Sequence, residues 1–169
     1  MHKIHDSIKK RDIAKDVFYT PLSLVKIHLD LVKPLIKEND IVYDPFYGKG
    51  AYYNEFPNVF KSNTFVFSEI EMGKDFFKFN DKIDIIISNP PYSIIDKVLE
   101  KSVSLNPRVI SYLIGIHNLT TKRIEYMNKH GYFLSALHFT KVFKWFGMSI
   151  ICVFSKGENC ISFDRIIHR

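Results

Sequence analysis

The strongest constraint on the fold of this 169-residue chain is an alternation of apolar, strand-like runs with amphipathic, helix-like segments. Strands are predicted at 41–43, 64–67, 83–87 and 109–114, and helices at 22–32, 93–103 and 119–130. Parallel strands need a long crossover between them, usually a helix, so this alternation predicts an α/β domain with a largely parallel sheet.

The last two predicted strands, 132–142 and 148–154, follow a different pattern. Only a short aromatic stretch that includes Lys144, Trp145 and Phe146 separates them. Such a connection is too short for a helical crossover, so this pair is expected to be antiparallel.

Composition limits the class of protein. With 46% hydrophobic residues the chain suits one globular domain over 1–169, in which residues 1–17 are expected to be loose. Cys152 and Cys160 are too few for a disulfide framework, and the seven histidines lack metal-site spacing, so no metal is expected. Charges interrupt the amino terminus and no run approaches membrane-spanning length, which predicts a cytoplasmic protein without a membrane partner.

Positive charge is concentrated in the last part of the chain. The net charge is +6, and residues 101–169 carry ten basic and three acidic side chains, against six and nine in residues 41–100. This asymmetry favours a nucleic-acid partner, although a solvated lysine-rich surface would look the same in composition.

Ligands of open α/β sheets bind beyond the carboxyl ends of the strands, so the residues that follow each strand matter most. The first strand is followed by Asp44-Pro45-Phe46-Tyr47-Gly48-Lys49-Gly50. The two glycines permit a tight turn and a close approach to a ligand, and Asp44 offers a carboxylate. Because Tyr53 stands where a third glycine is expected, this is not the dinucleotide phosphate loop.

The second strand is followed by Glu69, 19 residues beyond Gly50. In nucleotide-binding folds an acidic residue near this position accepts hydrogen bonds from ribose hydroxyls. Glu71 is a rival, and either residue would also fit a solvated surface. Upstream, Thr20-Pro21 predicts the start of the first helix, with Thr20 as its cap.

The third strand ends at Asn89-Pro90-Pro91-Tyr92. Prolines restrict the backbone and carry no N–H group, so this stretch is expected to hold the Asn89 side-chain oxygen and the Pro90 carbonyl in fixed positions. Two fixed oxygen acceptors suit a substrate amino group on which positive charge develops during reaction.

These residues resemble a family, the adenosylmethionine-dependent amino-methyltransferases of DNA, in particular the N6-adenine branch. The resemblance covers residues 18–92 and rests on four motifs in the family's order: Phe18-Tyr19-Thr20-Pro21, Asp44 to Gly50, Asp75-Phe76-Phe77, and Asn89 to Tyr92. It implies a Rossmann-like methyltransferase fold with a seven-stranded, mostly parallel sheet, an antiparallel last strand and helices on both faces.

The resemblance also implies roles for individual residues. Catalysis would fall to Asn89, Pro90, Pro91 and Tyr92. S-adenosyl-L-methionine would be bound by Phe18, Tyr19, Thr20, Asp44, Pro45, Phe46, Gly48, Gly50, Glu69, Asp75, Phe76 and Asn89. A flipped-out adenine would meet Tyr92, Lys144, Trp145 and Phe146.

Several alternatives stay open at this point. The same Asn-Pro-Pro-Tyr signature occurs in enzymes that methylate guanine N2 in ribosomal RNA or a glutamine amide in release factors, and adenine in RNA is a further substrate. An alternative function, without catalysis, is that of a methyltransferase-like subunit that binds nucleic acid or a catalytic partner. Only 12 residues follow Gly157, too few for a target-recognition domain, so sequence specificity is expected from short loops, from a homodimer or from a partner protein.

Overall fold

The structure, a computed structural model, describes residues 20–142 and 147–157. Within these ranges the helices are Leu22–Val32 (α1), Phe56–Val59 (α2), Ile95–Ser104 (α3) and Thr121–Lys129 (α4). The strands are Ile41–Asp44 (β1), Thr64–Phe67 (β2), Ile85–Ser88 (β3), Val109–Gly115 (β4), Tyr132–Thr140 (β5) and Ser149–Lys156 (β6). None of the described helices has the length and apolar composition needed to cross a bilayer.

The six strands form one sheet in the order β2-β1-β3-β4-β6-β5. Strands β2, β1, β3 and β4 pair in parallel, whereas β6 is antiparallel to both β4 and β5. The predicted parallel sheet and antiparallel final pair are therefore confirmed. The chain turns in opposite directions on leaving β1 and β3, and this reversal opens a crevice at the carboxyl ends of these two strands.

The expectation of seven strands is wrong for the described residues, which contain six. Residues 68–84, between β2 and β3, form two short 3-10 turns at Ile70–Met72 and Phe76–Lys78 in place of an edge strand. The reason lies in Glu69 and Asp75, whose carboxylates each accept the N–H of the residue two positions on. These local bonds compete with the extended backbone that a strand requires.

Helices cover both faces of the sheet, as expected. Successive strand side chains point to opposite faces, so Val42 packs on one side of β1 and Tyr43 on the other. The Val42 side is covered by α1 through buried residues such as Leu29, together with Phe56 of α2. The Tyr43 side is covered by α3 and α4, for example through Val98.

Helix α1 has the predicted bounds, but its cap is not the predicted one. Its cap position is Pro21, no side chain caps it, and the Pro21 carbonyl accepts the N–H groups of Leu24 and Val25. Thr20 is therefore not the cap. Its hydroxyl accepts a hydrogen bond from Asn89 instead, so the residue that enters α1 belongs to the wall of the crevice.

Candidate active site

A cavity of about 450 Å³ opens at the carboxyl ends of β1, β2 and β3. The loops that follow these strands form its walls, because the carboxyl ends of parallel strands meet at one edge of the sheet. Eleven residues predicted for the site line this cavity: Thr20, Pro45, Phe46, Gly48, Glu69, Asp75, Phe76, Asn89, Pro90, Pro91 and Tyr92.

Two of the predicted cofactor residues, Asp44 and Gly50, do not line the cavity but adjoin residues that do. Five others lie outside the described residues: Phe18, Tyr19, Lys144, Trp145 and Phe146. Their assignment to cofactor and substrate stays a prediction.

Asp44 ends β1 with a fully buried carboxylate. One oxygen, Oδ1, accepts the Ser88 hydroxyl at 2.6 Å and the Phe46 N–H at 3.2 Å. The other, Oδ2, has no hydrogen-bond partner among the described residues. Burial raises the pKa of Asp44 to about 7, against the opposing effect of the Ser88 hydrogen bond. A buried carboxylate oxygen without a hydrogen-bond partner is costly, because burial removes the water that would otherwise bind it.

The glycine turn has different surroundings at its two glycines. Gly48 and Gly50 both have positive φ, 54° and 77°. A methyl group on Gly48 would meet nothing within 4 Å, whereas one on Gly50 would lie 2.6 Å from the ring of Tyr47. The turn is thus open at Gly48, which lines the cavity, and is filled by Tyr47 at Gly50.

Glu69 connects the second loop to the glycine turn. Its Oε2 accepts the Gly48 N–H at 2.7 Å and its Oε1 accepts the Glu71 N–H at 3.3 Å. Both bonds use backbone donors, so they fix the carboxylate at the cavity wall. The rival Glu71 does not line the cavity, which favours Glu69 as the ribose acceptor.

An apolar wall borders Glu69. The ring of Phe76 lies 5.1 Å from Phe46 and 5.2 Å from Phe77, measured between centroids. Asp75 holds the turn that carries Phe76 by accepting the Phe77 N–H at 2.9 Å. Ile70, 75% exposed, adds an aliphatic surface to the same cavity. Such a wall can hold a flat, apolar ring system.

The Asn89 amide is held at both ends. Its Nδ2 donates to the Thr20 hydroxyl at 3.2 Å, and its Oδ1 accepts the Tyr92 hydroxyl at 3.3 Å. The side chain is half-buried. Because Nδ2 is bound to Thr20, the oxygen points to the Tyr92 side of the cavity. This arrangement presents a hydrogen-bond acceptor beside the rigid Pro90-Pro91 pair.

Sequence reasoning missed several lining residues, namely Tyr47, Lys49, Ala51, Tyr52, Ile70, Phe77 and Ile94. Most sit beside predicted residues, so proximity in the chain was an available signal. Tyr52 had none, because a tyrosine in a polar loop is equally typical of packing.

The β5–β6 connection begins and ends at the same edge of the sheet as the cavity. Thr140, the last residue of β5, pairs with Ser149, which also pairs with Gly115 at the carboxyl end of β4. Phe139 and Met148 near this connection are 58% and 48% exposed. They place apolar surface at the same edge of the sheet as the cavity.

No protein-family model matches the chain, and no curated protein matches its sequence. Solved structures do resemble it. One is Mtq2 in its complex with Trm112 from E. cuniculi, described as responsible for methylation of the translation termination factor eRF1 (TM-score 0.59, 16% identity, 83% of this chain and 99% of that chain).

Two further structures are similar over comparable lengths. They are a methyltransferase from Pyrococcus furiosus (TM-score 0.52, 19% identity, 92% of this chain and 95% of that one) and M. jannaschii TYW2 in complex with AdoMet (0.50, 16%, 86% and 80%). At these identities the similarity establishes architecture, and the chain has the Rossmann-like fold of these methyltransferases.

Proposed function

We propose that the protein is a methyltransferase that uses S-adenosyl-L-methionine to methylate a planar amino nitrogen, with the N6 atom of adenine in DNA as its substrate. The observation that carries this proposal is the meeting of two groups in one cavity: the oriented oxygen of Asn89 and the open glycine turn at Gly48.

The residues present fit the cofactor. The fixed carboxylate of Glu69 supplies an acceptor for ribose hydroxyls, whereas Asp44, buried behind the cavity lining, stays a predicted acceptor for the positively charged ammonium group. Phe76 and Phe77 border a space suited to an adenine ring. When bound, S-adenosyl-L-methionine supplies a methyl group on a positively charged sulfur and leaves as S-adenosylhomocysteine.

The chain's own contribution to the chemistry is to prepare the acceptor nitrogen. An adenine amino group is a poor nucleophile because its lone pair is delocalised into the ring. If Asn89 Oδ1 and the Pro90 carbonyl each accept one N–H, the nitrogen becomes pyramidal and its lone pair is free to form the new N–C bond. The two acceptors also stabilise the positive charge on that nitrogen, which then loses a proton to solvent.

Position accounts for the rest of the proposed catalysis. The Pro90-Pro91 backbone keeps both acceptors fixed, so little reorganisation is needed as charge develops. A base in duplex DNA must leave the stack to reach this depth, and Tyr92 offers an aromatic face for it. The order of the sequence motifs and the basic carboxyl-terminal part support DNA as the partner.

A second candidate substrate is a protein amide. The similarity to Mtq2, whose structure is described in terms of eRF1 methylation, favours it. A glutamine side-chain amide is planar and carries two N–H groups, so Asn89 and Pro90 would serve it in the same way. RNA amino groups are substrates of the same chemical class.

One experiment separates these candidates. The protein is incubated with cofactor carrying a tritiated methyl group and, separately, with duplex DNA, single-stranded DNA, RNA and a translation release factor, followed by digestion to nucleosides or amino acids. We expect label in N6-methyl-2′-deoxyadenosine from DNA, and far less label with Asn89→Ala. Label in RNA nucleosides or in methylglutamine would replace the DNA proposal.

A non-catalytic subunit would behave differently in calorimetry. The proposal expects binding of S-adenosyl-L-methionine at micromolar concentration. No heat of binding at high micromolar cofactor would contradict the enzyme and support the nucleic-acid-binding subunit.

A further inference from the structure

The two edge strands of the described sheet, β5 and β2, differ in how well they are protected against further pairing. Strand β5 carries a register shift between Leu134 and Ala136, and a bulge of this kind hinders the addition of another strand. Strand β2 has the sequence Thr-Phe-Val-Phe, pairs with β1 in an unbroken register, and contains no charge and no proline. A regular, apolar edge such as β2 is a template for an additional strand.

The backbone of β2 has hydrogen-bonding groups on its outer side. The N–H groups of Thr64 and Ser68 donate to carbonyls on the β1 side. Successive residues of a strand direct their backbone groups to opposite sides, so Val66 also faces β1, whereas Phe65 and Phe67 direct their N–H and carbonyl groups outward. Within the described part of the chain, β2 has β1 as its one neighbouring strand, and no other backbone group bonds to these outward groups.

A trough of about 440 Å³ runs along this outer side of β2. Phe65 packs against the core on one face of the sheet and Val66 against the core on the other face, yet both line the trough. Because successive side chains of a strand point to opposite faces, a hollow that both residues reach lies at the edge of the sheet. The trough therefore lies where a further strand would pair with β2.

The charged residues that line the trough are balanced in sign. They are two lysines and two aspartates, Lys74, Lys78, Asp75 and Asp81, and none of them forms an ion pair with another residue that the structure describes. The Nζ atom of Lys74 lies 3.8 Å from the centroid of the Phe67 ring, which keeps this cation beside the edge strand.

This balance favours one kind of partner. In a two-fold interface the same surface meets itself, so every charge has to find its opposite within a single set. A set with equal numbers of lysines and aspartates meets that requirement. A polyanion such as nucleic acid would gain no net attraction from it.

We propose that two copies of the protein associate through β2, antiparallel to each other about a two-fold axis at Val66, so that the two sheets join into one. An axis at Val66 is the one that pairs both outward residues within the strand: Phe65 of each copy lies opposite Phe67 of the other, and the N–H and carbonyl groups of both are satisfied. The two Val66 side chains then lie directly opposite each other, as a close pair without hydrogen bonds between their backbones.

The first test uses the native chain and needs no substitution. Light scattering at rising protein concentration is expected to show the mass increase from 19.9 kDa towards twice that value. Over the same range, hydrogen exchange followed by NMR should slow at least about tenfold at the amides of Phe65 and Phe67. The amides of the other edge strand, β5, are the control and should keep their exchange rates.

Each other outcome of this test contradicts the proposal. A chain that stays monomeric at millimolar concentration has no such interface. If the Phe65 and Phe67 amides are already protected in that monomer, the same chain covers the edge, and if they exchange freely, the edge is left to a different protein. A dimer that protects β5 and leaves β2 unchanged would place the interface at the opposite edge.

The second test addresses the two-fold axis. Val66→Lys and Val66→Glu each place like charges opposite one another, so each variant alone should dimerise at least about tenfold more weakly than the native chain. An equimolar mixture of the two should restore the dimer, because opposite charges then meet. Val66→Thr, similar in shape and uncharged, should dimerise within about threefold of the native chain.

Circular dichroism shows whether each variant is folded before its mass is measured. Folded variants whose mixture stays monomeric, or a Val66→Lys variant that dimerises like the native chain, would refute an axis at Val66. If a variant does not fold, the exchange rates of the native chain still decide the proposal. Neither test depends on methyl transfer, so the interface is decided separately from the proposed function.

Discussion

The hydroxyl of Tyr92 donates a 3.3 Å hydrogen bond to the side-chain oxygen of Asn89. The Tyr92 hydroxyl therefore already binds the oxygen that the proposed substrate requires as its acceptor. For an amino group to reach Asn89 Oδ1, this bond must give way or be shared, while the ring remains available for stacking.

Removing the hydroxyl and removing the ring should thus have different consequences. Tyr92→Phe keeps the aromatic face and frees Asn89 Oδ1, so we expect a KM for nucleic acid within about threefold of the native value and an equal or higher kcat. Tyr92→Ala loses base stacking and should raise KM about tenfold or more. Steady-state methylation of the identified substrate measures both. A similar loss in both variants would mean that the hydroxyl, and not the ring, serves the substrate.

Asn89 itself is tested by a pair of substitutions. Asn89→Ala removes the side-chain acceptor and should slow single-turnover methyl transfer at least about 100-fold, whereas Asn89→Asp should match or exceed the native rate because a carboxylate better stabilises a developing cation. Cofactor affinity, measured by calorimetry, is the control for the integrity of the cavity. Near-native rates for the alanine variant would show that Asn89 is not the acceptor.

Glu69 and Glu71 form a natural matched pair, two residues apart and of the same chemistry. Glu69 lines the cavity and accepts the Gly48 N–H, whereas Glu71 lines no part of it. We expect Glu69→Gln to weaken S-adenosyl-L-methionine binding about tenfold and Glu71→Gln to change it by less than about twofold. Titration calorimetry gives both values. The opposite order would transfer the ribose role to Glu71.

Asp44 should make stability depend on pH. Its pKa is raised to about 7 by burial, so between the ordinary carboxylate pKa and about 7 the folded state holds a proton that the unfolded state has already lost. The stability contributed by this proton is complete at acid pH, below the ordinary carboxylate pKa, and is lost as pH rises to about 7. Asp44→Asn is neutral at every pH, so its free energy of unfolding should not decrease in this way as pH rises.

Urea unfolding of both proteins without cofactor, between about pH 5 and 8, measures the difference. The exposed Asp81→Asn serves as the control and should follow the native pH profile. If Asp44→Asn loses stability with pH in parallel with the native protein, the burial of this carboxyl does not control its ionisation.

Part of the site could be predicted because its signals are local. The Asp44–Gly50 turn depends on glycines that accept positive φ. The Asn89–Tyr92 segment depends on prolines that restrict the backbone dihedral angles. Strand β2 was predicted with its observed bounds, since β-branched and aromatic residues over four positions are typical of strands. The number of strands was predicted wrongly, because local bonds at Glu69 and Asp75 replaced an edge strand that only resemblance had implied.

The type of sheet, the ends of its strands and the residue types found there follow from the chain alone, since hydrophobic period, glycine and proline act within a few residues of their position. The hydrogen-bond partners of the buried polar side chains follow only from the folded arrangement. Asn89 meets Thr20 across 69 positions, and His28 meets Ser111 across 83. Such bonds have no periodic or local trace in the chain. They exist because burial removes water and leaves each polar group to find its partner in the folded core.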